Sequence, residues 1–170
     1  MIPSEFIPSE PSGEAVEKAS TLIKAIELAC DQGRFDPPEL KSLRDLTGNT
    51  TLSVEHYHEI SGAMSYRDAA YLAFCPKPAP IPGLTFEMFR YICEQLQLSI
   101  LTPHYDYWVG LFQQNARKSN AGDLLFHPPE DWLRRLKNAG EIDEDAEWNT
   151  FSPTVDQLAR EAWRSDAILL

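Results

Sequence analysis

The chain has 170 residues, 43% of them hydrophobic and 11% aromatic, enough for a packed core and too apolar for a disordered chain. Its 26 acidic residues against 15 Lys and Arg leave a net charge of -11. That argues against nucleic-acid binding, which needs a basic face to meet phosphates, and against docking on anionic lipid. Apolar runs fall far short of the roughly 20 residues of a membrane-spanning helix, so a soluble globular protein is expected.

In chain order, residues 1–12 carry a doublet, Ile2-Pro3-Ser4-Glu5 and Ile7-Pro8-Ser9-Glu10, whose alternating Pro and Ser predict an extended, mobile arm. The first 14 residues have neither a basic stretch nor an apolar stretch of the secretory kind, so no signal peptide is expected. Ser12 caps a predicted helix over 14–32, in which Val16, Ala19, Ile23, Ile26 and Cys30 form one apolar stripe, and Gly33 supplies its left-handed exit. Asp36, Pro37 and Glu39 form the start signal of a second helix, with Leu40, Leu43 and Leu46 on one side and Gly48 at its end. Ser53 is placed to cap a short helix holding Glu55, His56, His58 and Glu59, and Ser65 with Asp68 to cap another over 66–74.

Residues 75–83 read CPKPAPIPG, and four prolines at alternate positions force a stiff, extended connection. Each half of the chain is small, so this stretch is expected to cross within one domain rather than to separate two. Beyond it, Thr85 opens a helix with Phe86, Phe89, Ile92, Cys93 and Leu96 on one side. Thr102-Pro103 opens one with Tyr107, Trp108, Leu111, Phe112 and Asn115, and Pro128-Pro129-Glu130 one with Trp132, Leu133 and Leu136. Ser152-Pro153 starts the last, with Val155, Leu158, Ala159, Ala162 and Trp163. Residues 98–102 are the best strand candidate, and they are few. The predicted fold is all-α: a single compact domain over 13–170, an irregular bundle of about seven or eight short helices with the Pro-rich crossover at 75–83.

The chemistry-bearing residues are sparse. On a helix, Glu55, His58 and Glu59 would share a face, Glu55 and His58 making a Glu-x-x-His half-site of the di-metal bundle type, and His56 or His58 with a remote histidine would be the mononuclear alternative. The second half is missing, since Leu101 and Leu124 stand three residues before His104 and His127. His104 and Asp106 are two apart, a spacing that turns them away from each other on a helix. Cys30, Cys75 and Cys93 sit in apolar surroundings with no adjacent base. The plain reading is buried free thiols in a reducing, cytoplasmic compartment. Phosphate-binding glycine loops, nucleophile elbows and dinucleotide fingerprints are absent from the sequence. The chain is therefore expected to be no enzyme and to need no cofactor.

The acidity is concentrated. Glu141, Asp143, Glu144, Asp145 and Glu147 fall within seven residues and are followed by Trp148. Carboxylates steer a basic partner and an aromatic ring anchors it, so these six residues are the expected partner-binding surface. The spacing and the lack of a central glycine exclude a calcium loop. Bacterial immunity proteins, antitoxins and nuclease inhibitors share this size and charge, an analogy of physical type that makes an inhibitor-type interaction module the leading expectation. The alternatives are a small metal-binding protein or enzyme built on Glu55, His56 and His58, and a non-catalytic subunit of a larger assembly.

Overall fold

The structure, a computed structural model, describes residues 2–164. Among them are eight α-helices, three 3-10 turns and no β-strand, the irregular all-α bundle that the periodicity predicts. The helices are α1 (Gly13–Asp31), α2 (Pro38–Thr47), α3 (Tyr66–Ala73), α4 (Phe86–Leu98), α5 (Tyr105–Asn115), α6 (Asp123–Phe126), α7 (Glu130–Asn138) and α8 (Val155–Trp163). No described helix is long and apolar enough to cross a membrane.

The described residues group into two compact units. The amino-terminal unit holds residues 3–77 and 101–107; the carboxy-terminal unit holds 78–100 and 108–164 together with Ile2. The division at 77/78 falls inside the Pro-rich stretch.

In the amino-terminal unit the α1 stripe of Val16, Ala19, Ile23, Ile26 and Cys30 is buried against Leu40 and Leu43 of α2 and against Ala69, Ala70 and Ala73 of α3. The small side chains of α3 allow this close approach, while Tyr66, Tyr71 and Phe74 cover its flanks. The Ser12 hydroxyl accepts from the Ala15 amide as predicted, and Gly33 (φ 74°) and Gly48 (φ 70°) take the left-handed turns that close α1 and α2. The predicted start of α2 shifts by one residue. Pro37 is its N-cap and no side chain caps it, because Pro37 and Pro38 already set the backbone.

Residues 3–10, expected as a free arm, are held within this unit. Ser4–Phe6 forms a 3-10 turn, the Tyr107 hydroxyl donates to the Phe6 carbonyl at 2.7 Å, and the Ser9 hydroxyl donates to the Phe74 carbonyl at 3.4 Å. A buried phenol needs an acceptor, and the half-buried backbone at Phe6 supplies one.

In the carboxy-terminal unit α4 packs on α8. Phe89 stacks on Phe112 of α5 at 5.6 Å between ring centroids and meets Trp163 of α8 at 5.2 Å. Ile92, Cys93, Leu96, Leu111, Leu124, Leu158 and Ala159 are also fully buried. Here the Pro-rich stretch is fixed by one side chain. The buried Asn115 accepts from the Ile81 amide at 2.8 Å and donates to the carbonyls of Ala79 at 3.0 Å and Leu111 at 2.8 Å. The short strand candidate at 98–102 holds no strand, in keeping with the all-α reading: α4 ends at Leu98, a turn follows, and the Ser99 hydroxyl bonds back to the Leu96 carbonyl at 3.0 Å. The cap of α8 is Thr154 rather than Ser152, since Thr154 alone has Gln157 three residues on to complete a reciprocal capping box.

Candidate functional site

The acidic segment joins α7 to α8. Gly140 (φ 67°) turns the chain out of α7, and the Glu141 amide donates to the Leu136 carbonyl at 2.9 Å. Two tethers then hold the loop to the helices. At its start, the Glu141 carboxylate pairs with Arg160 of α8, and the Glu141 carbonyl accepts from the Gln157 side chain at 3.3 Å. At its end, the Phe151 ring lies edge-on to Trp132 of α7 at 5.3 Å.

Between the tethers the backbone turns on itself, the Ala146 amide donating to the Asp143 carbonyl and the Phe151 amide to the Glu147 carbonyl. Asp143, Glu144, Asp145 and Glu147 are all exposed, and none forms an ion pair with a described residue. Trp148 is 53% exposed, its ring 6.0 Å from that of His127, and Phe126 next to His127 is 52% exposed. The structure thus brings five of the six predicted partner-binding residues together on the surface, adds Phe126 and His127 beside them, and takes Glu141 out by committing it to Arg160.

The Glu55–Glu59 cluster does not form the helical face that its spacing suggested. Only Val54–His56 is helical, as a single 3-10 turn, and Glu59 takes a left-handed conformation (φ 58°). The cause is a local competition. The His56 Nδ1 accepts from the Ser53 amide at 2.9 Å, a capping arrangement that closes the turn. The intervening Tyr57 is buried, so the chain bends around its ring rather than continuing. Glu55 hydrogen-bonds Ser53, which holds its carboxyl below the usual value. Glu55, His56 and His58 therefore do not converge, and no group of three or more His, Cys, Asp or Glu among the described residues is placed to hold a metal ion. His104 lies edge-on to Tyr71 at 5.9 Å, its Nδ1 3.8 Å from the Glu10 carboxylate, while Asp106 faces solvent. All three cysteines are free and buried, and burial pushes the thiols of Cys75 and Cys93 up to about 12.

Sequence reasoning missed a cavity of about 490 Å³ in the carboxy-terminal unit, lined by α4, α7 and α8. Its apolar walls include Phe86, Trp132 and Trp163, and its polar lining includes Arg135, Arg160 and Arg164. Glu141 and Glu161 line it as well, and Glu161, only 3% exposed, accepts from Lys118 Nζ at 2.9 Å, Arg135 at 2.8 Å and Arg164 at 3.4 Å. Burial would raise the Glu161 carboxyl, but the hydrogen bonds from Lys118 and Arg135 outweigh it and hold the group below its ordinary value. Arg117 lies 3.8 Å over the Trp163 ring. The legible signal was the run Gln157, Arg160, Glu161, Arg164, whose steps of three and four place all four on one face of α8.

Models of known protein families, curated proteins and solved structures give no match to this chain. Whatever function it has must therefore be argued from these sites.

Proposed function

We propose that the chain is a non-catalytic interaction module, of the inhibitor or immunity type, that docks a basic protein through residues 143–148. The observation that carries this reading is the tethered loop. Four carboxylates without ion-pair partners among the described residues project beside a half-exposed Trp148, between anchors at Glu141–Arg160 and Phe151–Trp132.

Four like charges this close raise the local potential and accelerate encounter with a basic face, while an exposed indole supplies apolar area that encounter can bury. Holding the loop at both ends lowers the ordering cost on binding. Three buried free thiols suit a reducing, cytoplasmic setting. The net charge of -11 favours a protein partner over nucleic acid or an anionic membrane.

The test is capture from a lysate of the source cells, at low and high salt, by the native chain and by a variant with Asp143→Asn, Glu144→Gln, Asp145→Asn and Glu147→Gln. A basic protein released by salt and lost with the variant is the expected result. With that protein purified, the variant should associate several-fold more slowly. Equal capture by native chain and variant, or a partner indifferent to salt, would refute the reading.

A further inference from the structure

We propose that the cavity lined by α4, α7 and α8 binds a small, uncharged aromatic molecule against Phe86, Trp132 and Trp163. Its volume of about 490 Å³ lies within the range of small-molecule sites, roughly 300–1,000 Å³, and Leu136 and Ala139 extend its apolar lining. The rings are set before any ligand arrives. Trp163 meets Phe86 at 6.0 Å and Phe89 at 5.2 Å between centroids, and Arg117 lies 3.8 Å over it, while Trp132 lies edge-on to Phe151 at 5.3 Å. Phe89, Arg117 and Phe151 do not line the cavity, so they brace the two indoles without occupying it. A ligand that stacks on walls already held in place loses little to ordering them.

The ion pairs of the lining decide that the ligand is uncharged. Arg135 pairs with Asp131 and Glu161, Arg160 with Glu141, and Arg164 with Glu161, so every charged side chain that lines the cavity already has its partner. An anionic ligand would have to draw a guanidinium away. Arg164 bonds Oε2 of the buried Glu161 at 3.4 Å while Lys118 and Arg135 both bond Oε1, so its loss leaves Oε2 without a donor among the described residues. A cationic ligand would meet carboxylates already bonded to arginines, with three guanidinium groups beside them. Gln157 is satisfied too, accepting from the Thr154 amide at 2.9 Å and donating to the Glu141 carbonyl at 3.3 Å. The same pairs disfavour a protein partner here. Arg160, Arg164 and Glu141 are exposed, and a protein face laid over the cavity would strip water from them, whereas a small molecule leaves them wet.

Calorimetric titration of the full chain with naphthylmethanol tests this. Saturable one-site binding is expected. The anion naphthoate and the cation naphthylmethylammonium, of similar shape, should each bind about tenfold more weakly, since neither finds an unpaired group. Ala139→Phe sets a ring into the cavity from an exposed position and should abolish binding while leaving the melting temperature in place. Phe86→Leu removes an aromatic wall but keeps an apolar one and should weaken binding several-fold. Trp148→Ala, in the acidic loop, should leave the affinity unchanged. No heat at millimolar naphthylmethanol, a charged isostere as tight as the alcohol, native affinity in both Ala139→Phe and Phe86→Leu, or loss of binding with Trp148→Ala would each overturn the proposal.

Discussion

Asn115 is the position at which one substitution should do most damage for the least change in volume. Prolines at 76, 78, 80 and 82 leave the crossover only three amide donors in that run, on Lys77, Ala79 and Ile81. The Asn115 side chain takes the Ile81 donor in a buried setting and satisfies the Ala79 acceptor in a half-buried one. Asn115→Ala leaves that amide and that carbonyl without partners, while the Leu111 carbonyl keeps its helical role. The buried Ile81 N–H left as an orphan costs about 1–3 kcal/mol and the half-buried Ala79 carbonyl less, so about 3 kcal/mol is expected in total at most. With a urea dependence of about 2 kcal/mol per molar for a chain of this size, the unfolding midpoint should fall by up to about 1.5 M. Urea unfolding followed by tryptophan fluorescence reads this directly. Asn115→Asp gives an internal control. It keeps the acceptor for Ile81 but sets a carboxyl against two carbonyl oxygens, which raises its folded pKa, so the stability gap between this variant and the native protein should be smaller at pH 4 than at pH 7. A loss below about 0.5 kcal/mol for Asn115→Ala, the range of an ordinary surface change, would refute the account of the crossover.

Two further outcomes follow from buried groups. Burial alone would raise the Glu27 carboxyl, but hydrogen bonds from Tyr66 and Ser61 outweigh it and hold the carboxyl below its ordinary value. A depressed folded pKa contributes stability that is complete above the unfolded value and is lost as pH falls through the folded one. Glu27→Gln should therefore cost about 1–2 kcal/mol at pH 7, and the gap to the native protein should narrow below about pH 4 in thermal melts; a gap that widens in acid contradicts this. Gly110 lies in α5, where an added Cβ would stand 2.9 Å from Cγ and 3.3 Å from Cβ of Pro78. Alanine favours a helix by about 1 kcal/mol, but displacing a proline ring costs about 1–3 kcal/mol, so Gly110→Ala should lower the melting temperature. An unchanged or higher value would show that the crossover yields.

What was legible in the sequence was local. The α1 stripe, the caps at Ser12, Ser65 and Thr85, and the glycine exits at 33 and 48 each depend on residues within one turn of one another, and each formed as read. The errors came where two local signals competed. Thr154 prevailed over Ser152 because Gln157 stood at the reciprocal position, and Ser53 with His56 closed a 3-10 turn where a helical metal face was expected. The exposure of Asp143, Glu144, Asp145 and Glu147 was also readable, since a run dominated by carboxylates has little to bury. The two buried carboxylates were not. Glu27 meets Ser61 and Tyr66 across 34 and 39 residues, and Glu161 meets Arg135 and Lys118 across 26 and 43. Charged residues separated that far read as surface until the fold brings their partners together, and the arginine-lined cavity was hidden for the same reason.

The placement of the thiols makes the protein its own reporter. Cys30 and Cys75 belong to the amino-terminal unit and Cys93 to the carboxy-terminal unit, all three 5% exposed or less. Burial disfavours every one of their thiolates, the form that alkylating reagents attack. In the native state each thiol can react only when the packing around it opens. Alkylation followed by peptide mapping therefore clocks the opening of each unit separately, without any introduced label. Matching rates at Cys30, Cys75 and Cys93 would mean that the two units open as one cooperative block, and divergent rates would give each unit a lifetime of its own.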